Sequence, residues 1–412
     1  MMSKMATAWR QLPHLWMALL TVAALALAAS LAVACGNGQD EGSSPTAVLT
    51  LTPEGQTPSA TTVPTIDAEE LSERGPFSVG VTTLTLVDES RPTDANGSYA
   101  GTDSRTLVTE VWYPAEVETQ ATEVRNATLD LSQAPYPLIV FSHGYTAVRR
   151  QAVYYTTHLA SHGYIVISPD YPLSNGMAPG GPRSGDVLNQ PGDVSFLIDS
   201  FLAFSEDPGN TFEGAIDETA IGLTGHSLGG LTTILTTFGP LADPRVKAAA
   251  PLSAPACLVG AETYEGSDTP VLVIGGTDDQ VVSFDSIRQT YDAASPPKYL
   301  LALVGGNHLR FGDGDMEDPD PGALQSVGGE TFLQDSLRVM QATGADPTTC
   351  TEAEISDQDL DADRLHELTC LFATAFFNHY LKGDEGAASV LTSEFAQTIP
   401  EAELDIGQSS SE

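Results

Sequence analysis

Gly225-His226-Ser227-Leu228-Gly229-Gly230 lies between two apolar runs, Thr219-Ala220-Ile221-Gly222-Leu223 before it and Leu231-Thr232-Thr233-Ile234-Leu235 after it. That order reads strand, sharp turn, helix, the context that makes a G-x-S-x-G match a nucleophile elbow. Glycine lets the backbone bend tightly and keeps the space around Ser227 clear. The serine is then held at the end of a sheet, beside the first N–H groups of a helix, where negative charge is favoured.

Outward from the elbow, short apolar runs alternate with helical spacing. Two alternating β-branched segments, 79–87 and 106–113, read as antiparallel strands. Leu138-Ile139-Val140-Phe141 and Tyr164-Ile165-Val166-Ile167-Ser168 read as strands buried on both faces. Further strands are expected at 218–224, 246–252, 270–275 and 298–304, with helices over 150–162, 193–205, 283–294 and 361–382. Strands alternating with helices predict an α/β fold: a mostly parallel sheet with antiparallel N-terminal strands and helices on both faces.

The chain has 412 residues, and its ends differ from its middle. Lys4 and Arg10, an apolar stretch, and Leu31-Ala32-Val33-Ala34-Cys35 have the layout of an export signal. The cysteine after small residues resembles the bacterial lipoprotein signal, which implies lipidation at Cys35 and a membrane anchor. Residues 11–34 are also long enough to serve as an uncleaved span, and ordinary secretion is the third reading. Residues 36–75, rich in Ser, Thr and Pro, read as a disordered tether. Residues 76–382 are expected to form one domain, and 383–412 a polar acidic tail.

Acids number 55 against 17 basic residues, a net charge of -38, and the lysines are Lys4, Lys247, Lys298 and Lys382. Phosphate contacts need a basic surface, so a nucleic-acid partner is excluded. Such a surface repels itself and suits either an extracellular setting or high salt. Beyond Cys35, the exported part holds Cys257, Cys350 and Cys370, which allow at most one bridge and do not reveal the pair. Cys370 lies in an apolar helical run and reads equally as a core thiol. The carboxylate-rich stretch 312–320 lacks the spacing of an EF-hand loop and reads as solvated, with calcium as the alternative.

Acyl transfer by serine needs a base, a carboxylate that orients it, and two N–H donors for the oxyanion. In this strand–elbow–helix arrangement the chain order is serine, acid, histidine. After the strand Val271-Leu272-Val273-Ile274, Asp278 and Asp279 are both candidate acids. After the next strand comes His308, in Gly305-Gly306-Asn307-His308. The Leu228 N–H, next to the serine, is one donor. The Tyr145 N–H, in Ser142-His143-Gly144-Tyr145, is the other. No cofactor is needed for this chemistry.

These segments together, with Leu159-Ala160-Ser161-His162-Gly163-Tyr164, resemble one family: the α/β-hydrolases of the platelet-activating-factor acetylhydrolase and dienelactone-hydrolase-like esterases. Bacterial cutinase-like polyester hydrolases are its neighbours. The resemblance covers 76–382 and implies a serine esterase acting through an acyl-enzyme. In the polyester hydrolases the acid precedes a polar residue and an apolar pair. Asp279-Gln280-Val281-Val282 matches, which selects Asp279 over Asp278. Ser227 departs from the cysteine of dienelactone hydrolases proper. Ala254-Pro255-Ala256-Cys257 lacks the tryptophan clamp of the polyester hydrolases, a departure that weighs against polymer cleavage, while short-chain esters, oxidised phospholipids, polyesters and amides all fit the residues named. A small or lipid-like ester is the expected substrate. A surface lipoprotein that binds without turnover is the alternative, since a fold alone does not imply activity.

Overall fold

The strands expected from period and apolar content all form, and they join in a single ten-stranded sheet. The computed structural model describes residues 68–314, 329–353, 356 and 358–407. A short helix α1 (Ala68–Ser72) leads into β1 (Ser78–Asp88) and β2 (Arg105–Ala115), an antiparallel pair running from Ser78 opposite Ala115 to Asp88 opposite Arg105. After the two-residue β3 (Val124–Arg125) come β4 (Tyr136–Ser142), α2 (Val153–Ser161), β5 (Ile165–Asp170), α3 (Gln190–Glu206), β6 (Ile216–His226) and α4 (Leu228–Thr237). The second half supplies β7 (Val246–Leu252), β8 (Val271–Gly276), α5 (Phe284–Ala293), β9 (Lys298–Leu303), α6 (Gly329–Thr343), α7 (Ala362–Lys382), α8 (Ser393–Ala396) and β10 (Ala402–Gly407).

The sheet order is β10-β9-β8-β7-β6-β4-β5-β2-β1-β3. From β5 through β9 every neighbouring pair is parallel, while β2 joins β5 and β10 joins β9 antiparallel. Alternation along each strand sorts its side chains to two faces. Ile139 and Phe141 of β4 pack with α2 and α7, while Leu138 and Val140 pack with α3. Both faces are therefore covered, which explains why the central strands are uniformly apolar. This is the α/β arrangement the sequence predicts.

Both expected boundaries of the domain are corrected. Residues 68–75 belong to the fold rather than to a tether: Leu71 is buried, and the Gly75 and Phe77 N–H groups donate to the hydroxyl and carbonyl oxygens of Ser161. The tail expected from 383 is folded through Gly407, because β10 pairs with β9 along its whole length and buries Ala402 and Leu404. Cys35 and the export segment lie outside the described residues, as do 315–320 of the acidic loop. Within that loop, Asp313 accepts the Val153 and Tyr154 N–H groups at the start of α2.

Among the described residues Cys257 and Cys350 form the one disulfide, and Cys370 is a buried free thiol. Buried Arg105 on β2 pairs with Asp193 at 2.6 Å and Asp186 at 3.1 Å, tying the sheet to α3 and to the turn before it. Among the described residues no helix is long and apolar enough to cross a membrane.

Candidate active site

Ser227 stands between β6 and α4 with φ 56° and ψ −118°, a left-handed conformation costly for a residue with a Cβ. Its surroundings enforce that conformation. A Cβ on Gly229 would lie 1.9 Å from the Ser142 carbonyl oxygen, and one on Gly225 would lie 2.4 Å from that of Gly229. The two glycines therefore let α4 begin directly against the end of β4. The Ser227 N–H donates to the Leu252 carbonyl, which ties the turn to β7.

Asp279 follows β8 and His308 follows β9, neighbouring parallel strands, so residues 29 apart in sequence meet at one sheet end. Asp279 Oδ2 accepts from His308 Nδ1 at 2.7 Å, and both side chains are buried. The other oxygen, Oδ1, accepts the Val281 and Val282 N–H groups at 2.9 and 2.7 Å. With Nδ1 carrying its proton toward the carboxylate, Nε2 is the basic nitrogen of the ring. Asp278 faces another way, accepting the Ser356 N–H at 2.5 Å and its hydroxyl at 2.7 Å. It anchors the segment before α7.

Ser227 and His308 line one cavity of about 700 Å³ together with Tyr145 and Leu228. Apolar side chains dominate its walls, among them Val281, Leu258 and Val339. No acceptor within the described residues meets the Tyr145 N–H, and the first N–H groups of a helix have no partner inside it. Tyr145 and Leu228, the expected donors, thus share the cavity with the serine.

Three supports escape a reading by motif. Gln151 bridges the two halves of the site: its Oε1 accepts the Gly144 N–H at 2.7 Å and its amide donates to His226 Nδ1 at 2.8 Å. Buried His143 donates from Nδ1 to the Gly144 carbonyl at 2.7 Å and accepts the Tyr171 N–H at Nε2, 3.1 Å away. Burial holds its pKa below the ordinary histidine value. The His226 ring lies 4.5 Å from that of His308, centre to centre. Burial first, and then the nearby His308, push its pKa well below the ordinary value. A neutral His226 places no second cation beside His308. The third support is α6, whose Phe332, Ser336 and Val339 line the cavity. Its sequence carries apolar residues at helical spacing; His143 stands inside the Ser142-His143-Gly144-Tyr145 motif, which does not announce its bracing role, and Gln151 carries no comparable signal.

Similar proteins share the central stretch. The family described as PETase, PET hydrolase-like, matches residues 129–318. Cutinase est2 of Thermobifida alba and Cutinase 2 of Thermobifida cellulosilytica are each 26% identical over 178 residues, 42% of this chain. The matched stretch spans only 53% and 61% of those two proteins. A ferulic acid esterase from Streptomyces cinnamoneus superposes with a TM-score of 0.51 at 22% identity, covering 76% of this chain and 93% of that one, a likeness of fold. The chain thus has an α/β-hydrolase fold, and its central stretch is similar to the PET hydrolase-like family and to cutinases.

Proposed function

We propose that this protein hydrolyses carboxylic esters through an acyl-enzyme on Ser227. Ser227 Oγ bonds to the acyl carbon while its proton passes to His308 Nε2. Asp279 holds the ring in that tautomer and stabilises the imidazolium. The carbonyl oxygen becomes an oxyanion between the Tyr145 and Leu228 N–H groups. As the intermediate collapses, the bond to the alcohol oxygen breaks and His308 returns the proton to that oxygen. Water then repeats the sequence: its proton goes to His308, its oxygen bonds to the acyl carbon, and Ser227 Oγ leaves with the proton. No cofactor takes part in these steps.

The observation that carries this reading is the buried Asp279–His308 hydrogen bond at 2.7 Å, opening onto the cavity that the strained Ser227 also lines. The cutinases and the ferulic acid esterase support the ester bond as the target. Export with a lipid anchor at Cys35 belongs to the same proposal. The layout of residues 1–35 and the Cys257–Cys350 bond, at home in an oxidising compartment, support it.

A fluorophosphonate probe and p-nitrophenyl butyrate test the reading. The wild type is expected to be labelled and to release nitrophenol. Ser227→Ala, with an unchanged circular dichroism spectrum, is expected to do neither. Labelling that persists in the variant overturns the assignment of the nucleophile, and an unlabelled, inactive wild type leaves a binding scaffold.

A further inference from the structure

The groups around Ser227 select an ester, but they do not measure its size. That measure lies in α6, which begins at Gly329, past residue 318 where the family match ends. Phe332, Ser336 and Val339 are spaced to share one helical face, and all three line the cavity. The Phe332 ring is tilted against that of Tyr145, with centres 5.5 Å apart.

The helix is fixed in place at its middle and at its far end. Arg183, in the loop after β5, donates to both oxygens of buried Asp335, at 3.0 and 2.7 Å. Gly185 makes room for that carboxylate, since a Cβ there would stand 2.7 Å from Asp335 Oδ1. At the far end the Thr343 hydroxyl donates to the Leu258 carbonyl at 2.7 Å. Just beyond, Cys350 is bonded to Cys257, itself a lining residue of the same cavity. A helix held at these points is a wall.

Resting on the ester-hydrolase reading, we infer that α6 sets the substrate class: a single small ester with one apolar acyl arm of medium length, received whole inside the cavity. The Tyr145 and Leu228 donors fix the carbonyl oxygen, and His308 must face the leaving alcohol. The arm beside Tyr145, where Phe332 stands, is therefore the acyl arm. A cavity of about 700 Å³ with mainly apolar walls has room for such a molecule and offers its acyl arm apolar contact.

The test compares kcat/KM for p-nitrophenyl acetate, butyrate, hexanoate, octanoate and decanoate in wild type, Val339→Phe and Phe332→Ala, each first titrated with the fluorophosphonate probe. Val339→Phe narrows the chamber. It is expected to lower turnover of octanoate about tenfold or more while leaving acetate within about threefold. Phe332→Ala, at a half-exposed position that does not threaten folding, is expected to move the optimum to a longer chain. Enzymes that label and turn over acetate, yet whose chain-length profiles match the wild type in both variants, overturn the wall and leave the ester-hydrolase reading intact. A wild type that neither labels nor cleaves any of the esters overturns both.

Discussion

Asp279 divides its two oxygens between the loop and the ring: Oδ1 receives the Val281 and Val282 N–H groups, and Oδ2 receives the His308 Nδ1–H. Asp279→Asn can keep the loop bonds through its carbonyl oxygen, but it then offers an N–H to Nδ1 and selects the wrong tautomer. The expected result is a fall in kcat of about 10⁴-fold with little change in melting temperature, checked by steady-state kinetics beside a thermal melt. Gln151 acts at one remove, holding the Gly144 backbone to His226. Gln151→Ala is expected to lower kcat by about tenfold with KM nearly unchanged, because the Tyr145 donor loses its brace while the apolar walls of the cavity stay in place. Equal effects on kcat and KM would count against that role. Ser227 and His308 were legible because chain order and strand ends restrict them to one position each. Asp278 and Asp279 were equivalent by spacing, and a family resemblance separated them. Gln151 was illegible because its partner His226 lies 75 residues away, in a different part of the chain, and only the sheet brings them together.

At the scale of elements, α6 is anchored at its middle by one buried carboxylate, Asp335. Burial alone would raise the pKa of Asp335. The Arg183 hydrogen bonds, the Gly185 N–H and the neighbouring guanidinium charges outweigh it and hold the carboxyl below its ordinary value. The stabilisation is therefore present above the ordinary carboxylate range, near 3.9, and is lost as pH falls through the lower folded value. Hydrogen exchange over 329–343 is expected to stay slow from pH 7 to pH 5 and to quicken below about pH 4. Arg183→Met is expected to quicken it already at pH 7, by the equivalent of about 1–3 kcal/mol, while exchange in β6 is unchanged. Two elements went unread in the sequence for one physical reason. β10 alternates Ala402, Leu404 and Ile406 with Glu403 and Asp405, a strand pattern so short and acidic that it resembles a solvated tail until β9 pairs with it. α6 shows the apolar spacing of a helix, yet the cavity it closes is not a property of its own sequence.

Across the whole molecule, several histidines are buried in the neutral state. Burial, and then neighbouring His162, push the His158 pKa down to about 3, and burial likewise lowers His143, His162 and His226. An unfolded histidine binds a proton near pH 6.5, whereas folded His158 does so only near pH 3. Between those values the unfolded chain holds more protons, so His158 makes stability fall as pH drops, by about 1.4 kcal/mol per pH unit, and the other lowered histidines act in the same direction. The melting temperature is expected to be level above pH 7 and to decline from about pH 6.5 downward, with a shallower slope in His158→Gln. Equal slopes would show that His158 is not among the groups responsible.

The sheet order also bears on how this scaffold could change. His308 follows β9, β10 pairs antiparallel with that same strand, and α6 lies in the chain between the histidine and α7. α6 is held through Asp335 and Thr343, with Cys350 bonded just beyond it, so another helix bearing these attachments could be grafted in its stead while Asp279 and His308 keep their hydrogen bond at the strand ends.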